Sequence, residues 1–210
     1  MEKNYRTVKA QGRAEYIEKK SRFIGTARPV QTEAEALALI QEIHKEFPDV
    51  RHTTYAYIVR DNNIARYSDG GEPGGTAGMP MMEVLKQENL TDVAVVVTRY
   101  FGGILLGAGG LVRAYSKSAK LAVDAAKIAV MTSCTLLKII VSYEQYGRLQ
   151  YLLEQEGLTA ENADFAQDVT VTVYCRAELC DGLVHKITEA TNGRAACYVL
   201  GTEYRPLDAE

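Results

Sequence analysis

Residues 93–113 read VAVVVTRYFGGILLGAGGLVR and join an apolar strand to a helix through a glycine-rich loop. The five residues 93–97 are typical of a buried strand, and helical periodicity begins near Leu111. The free amides at a helix N-terminus, together with the positive end of the helix dipole, favour an anion. We therefore predict an anion site in this loop, with Arg99 and Arg113 on either side supplying positive charge and their side chains at a cleft.

A second concentration of glycine lies at residues 68–78, SDGGEPGGTAG, so that these two runs hold ten of the seventeen glycines. Glycine is useful where the backbone needs a positive φ or a close approach, and two such runs in one protein mark a site. Asp69 and Glu72 would repel a phosphate there unless they bind a cation, pair with an arginine or accept backbone N–H groups. We interpret them as residues that hold the loop and pair with an arginine.

Neither glycine run matches a nucleotide-binding motif. Both have the spacing of a phosphate-binding loop of the Walker type, but Thr76-Ala77 and Ala108-Gly109 stand where Lys-Ser/Thr is required. Val112 occupies a position where the dinucleotide-binding fingerprint needs glycine or alanine. Two explanations of the glycines remain. They form an anion-binding nest of backbone amides, or they allow a helix to pack closely on a sheet. No cofactor is predicted.

Composition indicates an ordinary globular protein. The 210 residues are 47% hydrophobic and 24% charged, and no apolar run is long enough for a membrane span, so we predict a cytoplasmic protein with no membrane partner. The four cysteines have no metal-ligand spacing, so we predict no metal site. Residues 1–134 hold 18 Lys+Arg against 15 Asp+Glu, and residues 135–210 hold 6 against 12, which predicts two domains with these boundaries.

The hydrophobic pattern supports the same division. In the first domain, residues 16–27 predict a strand pair or one long strand, and Thr32 opens a capping box before a helix that ends at Pro48. A hairpin follows at 53–67, then helices from Pro80 and Leu111. From Thr135 the order is β-α-β-β-α-β, which is typical of a ferredoxin-like domain.

Several side chains around the glycine runs are candidates for binding. Tyr100 and Phe101 could stack a base, although neighbours on a strand face opposite sides. His52 could be a base, but without a partner nucleophile it is more often structural, and no catalytic residue is predicted. The candidate binding residues are Lys20, Ser21, Arg22, His52, Arg66, Asp69, Glu72, Thr76, Arg99, Tyr100, Phe101, Gly102, Gly103, Gly109, Gly110, Arg113 and Lys117.

These stretches resemble the signature of the IMPACT family, also called the YigZ family. The resemblance rests on residues 19–24, 52–57, 68–80 and 97–115, and it covers the whole chain. It implies two domains of mixed α/β (α+β) class, the first like the second domain of ribosomal protein S five and the second like the last, ferredoxin-like domain of elongation factor G. The likeness is to the bacterial form, because Met1 begins almost at the shared domain and an additional eukaryotic N-terminal domain is not expected.

The resemblance points toward RNA, the ribosome or translational control. We therefore predict an RNA-binding or ribosome-associated protein linked to translational regulation, with a protein partner in that process as a further expectation. Two alternatives stay open. One is an enzyme that acts on a small phosphorylated substrate in the same cleft, with Asp69 and Glu72 holding a divalent ion. The other is a protein-interaction module without nucleic acid, which would use Tyr100, Phe101 and the basic rim.

Overall fold

The structure, a computed structural model, describes residues 4–207. It divides the chain into two compact units, Tyr5–Val130 and Met131–Leu207, which we call the first and second units. Both combine helices with antiparallel sheet, as the predicted α+β class requires. The division lies four residues before the predicted boundary after residue 134.

The first unit carries an antiparallel sheet of five strands in the order β2-β3-β6-β4-β5. The elements up to the end of this unit are β1 (Asn4–Val8), β2 (Gly12–Glu18), β3 (Ser21–Pro29), α1 (Glu33–Glu46), β4 (His52–Val59), β5 (Ile64–Ser68), α2 (Gly78–Gln87), β6 (Val93–Tyr100) and α3 (Ala108–Ala126). The predicted strand pair at 16–27 is therefore a hairpin, and β1 is an element that the pattern did not indicate.

Helices cover both faces of this sheet, and β6 lies at its centre. Val93, Val95 and Val97 belong to the core beneath α2 and α3, whereas Ala94 and Val96 belong to the core beneath α1. A strand buried on both faces reads as a continuous apolar run rather than an alternating one, which explains the pattern at 93–97.

Helix α3 lies unusually close to the hairpin of β2 and β3. A Cβ atom added to Gly12 would stand 2.1 Å from the backbone nitrogen of Ala126, and one added to Gly25 would stand 2.7 Å from the carbonyl oxygen of Ser118. Only glycine allows such an approach of backbone to backbone. These two glycines, which lie outside both runs, serve helix packing.

The predicted capping box at the start of α1 is confirmed. Thr32 is the N-cap, and its Oγ1 accepts a hydrogen bond from the backbone N–H of Glu35 at 3.2 Å. The Glu35 carboxylate accepts in return from the backbone N–H of Gln31 at 2.8 Å, one residue before the usual partner. The helix therefore begins where the sequence indicates.

The second unit has the element order β-α-β-β-α-β that the sequence predicts. Its elements are β7 (Ile128–Val141), α4 (Tyr143–Gln155), β8 (Ala160–Phe165), β9 (Val169–Arg176), α5 (Cys180–Ala190) and β10 (Ala196–Leu207). Strand β9 pairs with both β7 and β8, and β10 pairs with β7, so the four strands lie in the order β10-β7-β9-β8.

Strand β7 begins seven residues before Thr135, where the predicted β-α-β-β-α-β order starts. The preceding helix ends at Ala126, and Lys127 turns the chain with φ of 58°. A turn residue of this conformation is ordinarily glycine or asparagine, so the sequence carried no signal that a strand follows at once. Across the described residues, no helix is long and apolar enough to cross a membrane.

Candidate functional site

Asp69 holds the first glycine run, residues 68–78, from the inside. Its carboxylate accepts hydrogen bonds from the backbone N–H groups of Gly75 at 2.9 Å, Ala77 at 3.0 Å and Gly78 at 2.8 Å. Burial alone would raise the pKa of Asp69, but these three bonds outweigh burial and leave the pKa below its ordinary value. The interpretation of Asp69 as a loop-holding residue is confirmed.

Glu72, from the same run, forms a buried ion pair with Arg99 of β6. A guanidinium nitrogen of Arg99 lies 2.8 Å from Glu72 Oε1, and the hydroxyl of Tyr115 donates to the same oxygen at 2.7 Å. Burial raises the pKa of Tyr115, and the hydrogen bond to Glu72 raises it further. A second guanidinium nitrogen donates to Ser21 Oγ at 3.3 Å. The arginine-pairing interpretation of Glu72 is confirmed.

This pairing corrects the expectation that Arg99 offers a free charge at a cleft. Arg99 is only 6% exposed, and Glu72 neutralises its charge. Arg113, in contrast, is exposed on the first turns of α3, as is Lys117. The two arginines that flank the second glycine run therefore differ, because Arg99 is buried and ion-paired whereas Arg113 is exposed.

Arg66, a candidate binding residue, does not join these residues. It lies opposite Tyr57 in the β4–β5 pairing, on the face of the sheet that α1 covers, and its Nε lies 3.0 Å from Glu33 of that helix. Arg22 and Tyr100 are paired across β3 and β6, with the guanidinium 5.8 Å from the ring centre. Because alternate residues of β6 face opposite ways, Tyr100 and Arg99 project from opposite faces.

The hairpin between β2 and β3 turns at Lys19 and Lys20. Glu18 pairs with Ser21, so the turn has two residues, and their φ values are 45° and 66°. A turn with both residues in the left-handed region is of type I′, for which Asn-Gly is the favoured sequence. This basic turn, Lys19–Lys20, is thus built from residues that the conformation disfavours.

The basic turn lies against the beginning of the second glycine run. A Cβ atom added to Gly102 would stand 2.0 Å from the carbonyl carbon of Lys20, and the Gly102 N–H donates to Ser21 Oγ at 3.2 Å. The glycine is required here because backbone meets backbone. The two motifs, far apart in sequence, therefore meet at one place.

Beyond Gly102 the second glycine run is open. Gly103 and Gly107 have φ of 81° and 71°, and an added Cβ at either would meet nothing within 4 Å. Gly107 is the N-cap of α3, and because it has no side chain it makes no side-chain cap to the first amides of the helix. Gly109 and Gly110 lie within the first turn of the helix, and neither has a positive φ, so the backbone conformation does not require glycine at either position.

A cavity of about 360 Å³ opens beside the start of α3. His52 lines this cavity, and its Nδ1 lies 3.2 Å from the carbonyl oxygen of Gly70. Phe101 is 52% exposed and Leu105 82% exposed, although both are large and apolar. The cavity is lined by Arg51, His52, Glu72, Pro73, Arg99, Phe101, Leu105, Leu106, Gly107, Ala108 and Leu111.

The structure thus brings some candidate residues together and sets others aside. Thr76 is buried, and its hydroxyl donates to the carbonyl oxygen of Pro73 at 2.6 Å, within its own loop. Lys19, Arg51 and Tyr115 are not among the candidate binding residues identified from the sequence. Lys19 stands next to Lys20 and Arg51 next to His52, so adjacency to a candidate was the available signal, whereas Tyr115 lies among the core positions of an ordinary amphipathic helix.

Comparison with known proteins matches both parts of the chain. Residues 19–123 match the Impact N-terminal domain, and residues 139–194 match a domain of unknown function, DUF1949. The chain is 37% identical over 193 residues to the IMPACT family member YvyE of Bacillus subtilis, covering 91% of this chain and 89% of that protein. It is 33% identical to the IMPACT family member YigZ of Escherichia coli, covering 83% and 87% respectively.

A solved structure is also similar over almost the full length. It is described as the crystal structure of an hypothetical protein, with a TM-score of 0.61 and 29% sequence identity. The similarity covers 96% of this chain and 99% of the other. Both units of the fold therefore occur together in another protein.

Proposed function

The chain belongs to the IMPACT family, and from that premise we propose that it binds RNA, as part of the ribosome or free of it, in translational control. The proposed contact surface, which we call the basic face, consists of the basic turn, the exposed part of the second glycine run and the first turns of α3. A cytoplasmic location and a protein partner in the same process belong to this proposal.

The basic turn is the observation that carries the proposal. A residue with a side chain costs roughly 1–2 kcal/mol in the left-handed region, and Lys19 and Lys20 both occupy it. Strained backbone of this kind persists chiefly where function requires it. Replacing Lys19-Lys20 by Asn-Gly would relieve the strain but would remove both positive charges. The lysines are therefore kept at this turn for their charge.

The neighbouring side chains suit a single-stranded polyanion. Lys19, Lys20, Arg113 and Lys117 are exposed, and none forms an ion pair with any residue of 4–207. Free cations of this kind are available to phosphates, and their contacts make binding depend on salt. Phe101 presents a half-exposed ring in the same loop, and bases of single strands stack on aromatic rings.

The double substitution Lys19→Asn, Lys20→Gly tests the proposal. We expect the variant to be more stable than the wild type by about 1–3 kcal/mol, because Asn-Gly fits a type I′ turn. We also expect its affinity for a single-stranded RNA to fall, with the slope of log K against log salt reduced by about 1.4, or about 0.7 for each phosphate that the variant no longer neutralises. Binding is measured by fluorescence anisotropy across a salt series, and stability by urea unfolding.

The matched control is Lys45→Gln, Lys86→Gln, which removes the same charge from α1 and α2, outside the basic face. It should leave the salt slope unchanged. Equal slopes for wild type and Lys19→Asn, Lys20→Gly would contradict the proposal. Undiminished capture of a protein partner in that case would favour the protein-interaction alternative.

The structure does not support a divalent ion at Asp69 and Glu72. The Asp69 carboxylate is engaged by three amides, and that of Glu72 by Arg99 and Tyr115. Within residues 4–207, no group of three or more His, Cys, Asp and Glu side chains is placed to hold a metal ion. These two carboxylates serve the fold of the loop.

A further inference from the structure

We infer that the cavity beside α3 receives the end nucleotide of an RNA strand and recognises its terminal phosphate monoester. This inference rests on the proposed RNA binding and adds a preference for a phosphorylated strand end. Its basis is that the lining of the cavity contains two groups of residues: one suited to an anion, which we call the anion wall, and one suited to a base, which we call the apolar wall.

The anion wall combines a helix N-terminus with two arginines. Gly107 and Ala108, at the start of α3, line the cavity, and the N-cap Gly107 has no side chain that could engage the first amides of the helix. Arg51 is exposed at the same wall and forms no ion pair with the described residues. Its charge is therefore available to a ligand.

Arg99 provides an independent sign that something polar is missing from this wall. Two of its guanidinium nitrogens bond to Glu72 and Ser21, but its buried Nε has no hydrogen-bond acceptor among residues 4–207. A buried donor without a partner is costly, and nearly all such groups in folded proteins are satisfied. Arg99 lines the cavity, so a movement of its side chain toward the cavity would let a phosphate oxygen bound there supply the missing acceptor.

The apolar wall is formed by Phe101, Leu105, Leu106 and Leu111. The exposed ring of Phe101 can stack on a base, and the leucines cover its edge. A volume of about 360 Å³ lies at the lower end of the range for small-molecule sites, which fits one nucleotide rather than a continuous strand.

The charge of the cavity favours a strand end over an internal phosphate. An internal phosphodiester carries one negative charge, whereas a terminal monoester carries between −1.5 and −2 at neutral pH, as its second pKa of about 6 implies. Because Glu72 already neutralises Arg99, the free Arg51 and the helix dipole remain as uncompensated positive charge. The additional charge of a monoester matches them.

The experiment compares three single-stranded RNAs of identical sequence that carry a 5′-phosphate, a 3′-phosphate or hydroxyl groups at both ends. We expect one phosphorylated end to bind at least tenfold more tightly than the hydroxyl-ended strand at pH 7.5, because of the additional charge of the monoester. Which of the two ends is preferred identifies the polarity of the bound strand.

Arg51→Gln should abolish the preference and leave binding of the hydroxyl-ended strand within about threefold of wild type. Lys19→Asn, Lys20→Gly should weaken all three strands while keeping their ratio. Arg176→Gln, which removes an exposed arginine of the second unit, should change neither. Equal affinity for all three strands would overturn this inference and leave the proposed RNA binding standing. Absence of binding to every strand would overturn both.

Discussion

The two glycine runs look alike in sequence and differ in structure. In the first, Asp69 accepts three amides of its own loop, and a Cβ added to Gly70 or Gly78 would stand within 3 Å of neighbouring backbone. In the second, an added Cβ at Gly103 or Gly107 would meet nothing within 4 Å. The first run is held by its own carboxylate and by close backbone contacts at Gly70 and Gly78, with open space at Gly74, whereas most of the second is open.

The difference follows from the carboxylates. The first run contains Asp69 and Glu72, which satisfy amides, an arginine and a tyrosine, so little polar capacity remains for a ligand. The second run, residues 102–110, contains no carboxylate, and its exposed amides stay available. Glycine content alone therefore does not identify a binding loop, whereas the presence of internal acceptors separates the two cases.

The largest effect that would test this contrast is expected at Glu72. We predict that Glu72→Ala destabilises the protein by about 3–5 kcal/mol, because it leaves the buried guanidinium of Arg99 without a counter-charge. Urea unfolding of the full chain measures the loss. The control Glu83→Gln, at an exposed ion pair with Lys86, should cost less than about 1 kcal/mol.

A double substitution sharpens this first prediction. Glu72→Leu combined with Arg99→Met should recover part of the loss, since removing both charges is far less costly than stranding one. If Glu72→Ala unfolds at the same urea concentration as wild type, the first run is not held by this pair and the contrast fails.

A smaller effect should separate two neighbours within the second run. We predict that Gly102→Ala costs about 1–3 kcal/mol, because its Cβ would collide with the backbone of Lys20. Gly103→Ala has free space and should cost about 1 kcal/mol, from its φ of 81° alone. Paired unfolding curves decide the order of the two. A larger loss of stability in Gly103→Ala than in Gly102→Ala would contradict the open space around Gly103.

The smallest effect is expected at Gly109 and has the opposite sign. Gly109 lies in the first turn of α3 without a positive φ, and an added Cβ would approach only the end of the Arg113 side chain, at 3.8 Å. Gly109→Ala should therefore stabilise the protein by about 0.5–1 kcal/mol through helix propensity. A loss of stability at this position would show that the helix start is more constrained than its dihedral angles indicate.

Periodicity and capping predicted most of the fold. The buried strand at 93–97, the capping box at Thr32 and the element order of the second unit could all be read from local patterns. Two breaks that the pattern did not show, the turn between β2 and β3 and the start of β7, share one cause. Lys19, Lys20 and Lys127 adopt left-handed turns without glycine or asparagine, so the breaks that they make carry no signal in the sequence.

The site was less predictable, because it depends on which side chains are already engaged. Arg99 and Arg113 flank the same loop and look equivalent in sequence, yet only Arg113 is free. The distinction arises from tertiary contacts, since Glu72 lies 27 positions before Arg99. Likewise, the contact between Gly102 and Lys20 joins segments about 80 residues apart.

The tight seat of α3 on β2 and β3 has a mechanical consequence. Gly12 and Gly25 lie directly beneath Ala126 and Ser118, so a shift of the helix along its axis would drive backbone into backbone at two points. The amides at its N-terminus are therefore held in a fixed position relative to the sheet. Any closure around a ligand must come from residues 103–107, where the positive φ values and the open space lie.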